Sequence, residues 1–242
     1  MRGLFCLFTL ALTVLAGPVL AQDIAINIGD DGSLATRSVQ LLVLITVLSL
    51  VPGIAIMVTC FPFIVTVFAI LRQAIGLQQS PPNMLIVSLA MFLTYFVMEP
   101  IFLEAWNAGI SPLLNDGMPL EEAFMRAMDP LRGFMTARIE ADTFTALADL
   151  RPDVTSQTPI IDAPLSVLVP SFLLSEMERA FQVGFLIFMP FLIIDLVVAA
   201  VLMSMGMMMV PPAIVSLPFK LAFFVVADGW GLIATSLVRS YG

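Results

Sequence analysis

The sequence predicts an all-α membrane protein: two helical hairpins, made of about four hydrophobic and kinked helical segments, flanking a small helical domain. Three observations predict it. Of the 242 residues 60% are hydrophobic and only 12% are charged, against roughly 25% charged in soluble domains. Mean hydropathy is +1.05, more apolar surface than a soluble core of this length hides. The long uncharged runs are broken by prolines and by one acidic stretch of ordinary composition.

The first 21 residues read as a secretory signal peptide. Arg2 supplies the charged start, Leu4 to Leu15 the apolar core, and Val19-Leu20-Ala21 the small residues before a cleavage point; an uncleaved first span is the alternative. Cleavage removes Cys6 and leaves Cys60 as the only thiol, so no intrachain disulfide is expected.

Residues 38–103 read as the first hydrophobic hairpin. No charge lies between Arg37 and Arg72, a run that at about 1.5 Å per residue exceeds the roughly 30 Å hydrocarbon core. Pro52-Gly53 and Pro62 inside it predict a kinked or broken helix. Arg72 to Asn83, with Pro81 and Pro82, is the hairpin turn, and Met84 to Leu103 is a second run interrupted by Glu99-Pro100.

Residues 104–168 are different material. Ten acids and four bases between Glu104 and Asp162 give this stretch a charge of −6 out of −8 for the whole chain. From Leu120 to Leu150 the residues Phe124, Met128, Leu131, Phe134, Met135 and Ile139 recur at helical spacing. Pro152 to Pro164 reads as an extended linker. This pattern predicts a small water-exposed helical domain.

Residues 169–240 read as the second hairpin. Val183–Ile194 and Leu196–Val210 are apolar runs split by Asp195; Ala213–Ala227 and Trp230–Val238 come next, carrying Lys220 and Asp228. Charges at membrane depth face partners or water rather than lipid, so Glu99, Asp195, Lys220 and Asp228 point to burial in an assembly; the alternative is that each marks the end of a short span. The turn at Pro211-Pro212 echoes the one at Pro81-Pro82. Met203, Met205, Met207, Met208 and Met209 cluster just before it, around Gly206.

A cleaved signal leaves the mature N-terminus in the periplasm, the first turn with Arg72 in the cytoplasm, and the acidic domain back in the periplasm. The absence of histidine removes Ser-His-Asp and Cys-His chemistry and histidine metal sites. No Lys/Arg cluster offers a nucleic-acid surface. No catalytic residue, metal or cofactor is expected.

Several segments carry a specific resemblance. They are Leu71-Arg72-Gln73-Ala74, Gln78-Gln79-Ser80-Pro81-Pro82-Asn83, Pro130-Leu131-Arg132, and above all Pro170-Ser171-Phe172-Leu173-Leu174-Ser175-Glu176, the run from Ala180 to Asp195, Met203 to Pro212, Ser216 to Lys220 and Asp228-Gly229-Trp230. Together they resemble the FliP family of flagellar type III secretion proteins over residues 38 to 240. Two departures stand out: Thr59-Cys60-Phe61-Pro62-Phe63-Ile64 lacks the arginine that the family usually carries at the position of Phe63, and Met84 stands where glutamine is common.

The resemblance implies a pore-forming subunit of a protein export gate in the bacterial inner membrane, within the flagellar basal body. It implies a homo-oligomer of five copies with FliQ- and FliR-like subunits, served by FlhA- and FlhB-like proteins, through which unfolded flagellar proteins pass. It also implies that Met205, Met207, Met208 and Met209 form a gasket, a role that flexible thioethers suit. Glu176, Asp195, Lys220 and Asp228 are then expected to be buried assembly charges. Rival readings are an injectisome export gate and a small-molecule secondary transporter with paired interrupted hairpins. A membrane hydrolase using Ser88, Ser175, Ser204 or Ser216 lacks a base placed beside any of them.

Overall fold

The computed structural model describes residues 34–77, 80–152, 159–207 and 209–241, with side chains from residue 38 onward. The expected signal segment lies outside the described residues. All regular elements among them are helical. Helix α1, Leu34–Met57, carries no charge from Ser38 to Met57, and side chains there such as Leu42 and Ile45 are exposed. The described residues up to Ser49 fall in one unit and those from Leu50 onward in the other. Every helix after α1 belongs to the second unit.

The uncharged run of the first hairpin is broken, as expected, between Met57 and Phe61. Pro62 stands in the first turn of α2, Phe61–Ile75, where a missing N–H costs no hydrogen bond. Pro52 lies within α1 without ending it. At 15 residues, or about 22 Å, α2 is short of the hydrocarbon thickness and instead forms the centre of the fold. Phe63, Ile64, Val67, Phe68, Leu71, Ala74 and Ile75 on it are all inaccessible.

Helix α3, Asn83–Ala105, runs straight through Glu99-Pro100 and passes into a π-turn, Trp106–Ile110, and a short α4, Ser111–Asn115. The stretch from Leu120 to Leu150 is two helices, α5, Leu120–Thr136, and α6, Ala141–Ala148. Between them Glu140 is extended, and its N–H donates to Ser175 Oγ at 3.0 Å. Gly109 of the π-turn is what lets α5 approach: a β-carbon there would lie 2.3 Å from the Ala123 carbonyl oxygen and 2.6 Å from the Ala127 side chain.

Helix α7, Leu165–Ser204, is one 40-residue element, about 60 Å long. Neither Pro170, Pro190 nor Asp195 interrupts it, and it runs through the expected boundary at 168/169. Its first turns supply Val167, Leu168 and Phe172 to a small core with Met135, Ile139, Phe144 and Ala148 of the acidic stretch. Further along, Gly184 faces α2 so closely that a β-carbon would sit 2.4 Å from Ile70 Cδ1. Helices α8, Pro212–Val226, and α9, Gly229–Arg239, are bent by 59° at Ala227-Asp228. By length and apolarity, Ser38–Met57, Asn83–Asn115 and Leu165–Ser204 could each cross a membrane, and the bent pair makes up to a fourth span.

Candidate functional site

The two hairpin turns are built alike. Helix α2 ends in left-handed Gly76, whose N–H donates to Gln73 O while Leu77 N–H reaches Arg72 O. Helix α7 ends with left-handed Gly206, where Gly206 N–H donates to Met203 O and Met207 N–H to Leu202 O, both at 3.0 Å. Glycine adopts this backbone without the penalty other residues meet. In each case the double proline begins five residues after the glycine: Pro82 caps α3 and Pro81 precedes it, while Pro211 caps α8 and Pro212 is its first residue. Proline's fixed φ suits a helix start. Arg72 closes the first turn by donating to Asn83 Oδ1 and to Pro81 O. The sequence showed the prolines; the matching glycine spacing went unread.

The methionines sit at the second turn. Met205 is 66% exposed, Met207 42% and Met209 97%; Met208 lies outside the described residues. Met205 and Met207 also edge an apolar groove of about 540 Å³ between α7 and α8, walled by Ile193, Val197, Val201 and Phe219. No polar atom lines it. The turn therefore presents flexible apolar side chains outward and leaves a cleft behind them.

The expected buried charges divide into two nodes and two outliers, Asp228 and Glu99, the latter exposed on α3. In the first node, Lys220 of α8 places Nζ 2.5 Å from Asp195 Oδ2 and 3.1 Å from the Ala74 carbonyl at the end of α2. Ser216 donates from Oγ to Asp195 Oδ1 at 2.6 Å. Asp195 thus stays inside a continuous helix because an ammonium and a hydroxyl come to it from α8. In the second node, Glu176 is inaccessible. Its Oε1 accepts from Arg138 Nε at 2.9 Å and its Oε2 accepts from Tyr241 Oη. Arg138 lies with its guanidinium carbon 4.0 Å from the centre of the Tyr241 ring and donates to Ser240 O at 2.7 Å. Burial, with the Glu176 carboxylate beside it, pushes the Tyr241 phenol well above its ordinary range, so Tyr241 remains a donor.

Asp228 belongs to neither node. It lies at the α8–α9 bend in a left-handed backbone conformation (φ 47°), its residue is exposed, and its side chain makes no capping hydrogen bond to α9. Sequence reasoning missed Arg138 and Tyr241, which lie 38 and 65 positions from Glu176. Arg132, which enters the sequence reading only through the resemblance, holds the segment before α7 by donating to the Ile161 and Ala163 carbonyls. Among the described residues no group of three or more potential metal ligands comes together.

Comparison with known proteins gives a consistent result. Residues 44–237 match the FliP family. The chain is 50% identical over 236 residues to the flagellar biosynthetic protein FliP of Caulobacter vibrioides, covering 97% of this chain and 88% of that one. It is 45% identical to the protein of that name from Rhizobium meliloti, covering 98% of both chains. With the Bacillus subtilis protein of that name it shares 44% identity, covering 88% of this chain and 96% of the relative.

Proposed function

The chain belongs to the FliP family, and from that membership we propose that it is a pore-forming subunit of the flagellar protein export gate. In this reading several copies, five by resemblance to the family, surround an axis in the bacterial inner membrane with FliQ- and FliR-like subunits. FlhA- and FlhB-like proteins complete the apparatus, and unfolded flagellar proteins pass through the centre. The region from Glu104 to Leu168 lies on the periplasmic side and the two Pro-Pro turns face the cytoplasm. No catalytic step is asked of the chain.

The observation that carries the reading is the exposed methionine turn at the end of the 40-residue helix, backed by a groove with no polar lining. A ring of such turns closes a gap by excluding water, and unbranched thioethers reshape around passing side chains of many kinds. Asp195, Lys220 and Glu176 then hold the hairpins together from within. Asp228, outside both nodes of the single chain, offers a carboxylate to a neighbouring subunit.

Two measurements test this together. Cells lacking the chain should fail to secrete flagellar subunits and recover when it is restored. The complex purified in mild detergent should contain multiple copies with small membrane partners. Normal secretion in the deletion strain, or a purified chain that remains single while secretion proceeds, overturns the proposal.

A further inference from the structure

Tyr241 is the meeting point of four separate parts of the fold. Its hydroxyl donates to Glu176 of α7, and its ring lies under the Arg138 guanidinium from the α5–α6 junction. The ring also stands edge-on to Phe63 of α2, with centres 5.6 Å apart, and stacks near Phe134 of α5 at 6.0 Å. The neighbouring Ser240 carbonyl takes a second hydrogen bond from Arg138. Among the described residues each Glu176 oxygen has one donor, Arg138 for Oε1 and Tyr241 for Oε2. Without the Tyr241 side chain a wholly buried carboxylate keeps an oxygen that has no donor among the described residues, and a largely buried guanidinium loses a ring face. Unpaired buried charge is costly, so the node is well satisfied only when all three residues are present.

We infer that Tyr241 is a latch, a positioning residue that fastens the segment following α9 to the acidic domain and fixes the Glu176–Arg138 pair in its assembly-competent arrangement. Tyr241 emerges after α8 and α9 in synthesis. The node therefore closes only when the second hairpin has folded back against α7, and the acidic domain senses the completion of that hairpin through one aromatic residue. The latch itself rests on these contacts, while its effect on assembly rests on the proposed multi-subunit gate.

The test uses the full chain expressed with its partner membrane subunits and follows two readouts. One is trypsin cleavage after Arg138, measured against Arg126 and Arg132 in the same chain; the other is recovery of the multi-subunit complex on native gels. Tyr241→Ala should raise cleavage at Arg138 at least tenfold relative to the two reference sites and lower complex recovery. Tyr241→Phe keeps the ring contacts and removes only the hydroxyl, so it should give a smaller change of the same kind. Combining Tyr241→Phe with Glu176→Gln should add little to Glu176→Gln alone, because both act on one bond. If Tyr241→Ala opens all three arginines equally, the Tyr241→Phe variant decides by whether Arg138 alone is exposed. Unchanged protection at Arg138, additive effects in the double variant, or lost protection with wild-type assembly each overturns the latch. Secretion is not a readout, so its loss or survival bears on the gate proposal alone.

Discussion

Lys220 and Asp195, twenty-five positions apart, form an unequal pair: the ammonium is held at 2.5 Å from the carboxylate with 8% of its side chain accessible, while Asp195 keeps 38%. Losing one partner of a fully buried pair costs about 3–5 kcal/mol, and less where the remaining charge still reaches its surroundings. Lys220→Ala leaves an accessible carboxylate that retains Ser216. Asp195→Ala leaves a buried ammonium whose remaining partner among the described residues is the Ala74 carbonyl.

Both substitutions should therefore lower recovery of the multi-subunit complex, Asp195→Ala the more severely. The double variant should recover better than Asp195→Ala alone. Pull-down yields compared at equal expression decide the order. Equal yields throughout, with secretion lost, would move these residues from assembly to transport.

Changing Met207, Met208 and Met209 together to alanine should make cells leak ions or small solutes while the complex still forms. A single change should leak less, since neighbouring thioethers fill the space. Wild-type tightness in a triple variant shown by pull-down to be assembled would return these methionines to ordinary packing.

Gly109→Ala should separate α5 from the π-turn, because the added methyl meets the Ala123 backbone and the Ala127 side chain rather than a yielding side-chain end. Overpacking of this kind costs about 1–3 kcal/mol. The melting temperature of the detergent-purified chain should fall. Gly184→Ala meets only the flexible Ile70 side chain and should be milder. A reversed order of the two would contradict the geometry.

Tyr241 should resist ionisation. Its phenol is raised in the folded chain by burial and by Glu176, whereas an unfolded tyrosine loses its proton near about pH 10. The folded state binds this proton more tightly, so its stabilising contribution is full below about pH 10 and declines as pH rises above it. With Tyr95→Phe removing the other tyrosine, ultraviolet titration of folded protein should show no tyrosinate at about pH 11, and unfolding should release it. A normal titration midpoint in the folded state would mean that the phenol is not buried beside Glu176.

Composition and proline placement made the helical class and the hairpin turns readable, because an uncharged run and a Pro-Pro pair act locally. Charges were harder. Asp195 reads as a divider between two runs, yet the helix continues through it, since the half-exposed carboxylate is met by Lys220 from the next helix. The stretch from Leu120 to Leu150 looked like one amphipathic face. It breaks at Glu140, whose N–H is taken by Ser175 of α7; Phe124 is left 57% exposed while Met135 and Ile139 are buried. Arg138 and Tyr241 were unreadable for the same reason: their partner Glu176 is distant in sequence, and no local pattern marks either of them.

The length of α7 has a mechanical consequence. From Glu176, gripped by Arg138 and Tyr241, to Ser204 at the methionine turn is 28 residues of one uninterrupted helix, a lever arm of about 42 Å. A tilt of about 10° around that grip carries the far end sideways by about 7 Å, close to the roughly 8–10 Å that separates packed helices. Small angular adjustments on the acidic-domain side thus become displacements of side-chain size at the opposite end, with no helix needing to melt or rewind.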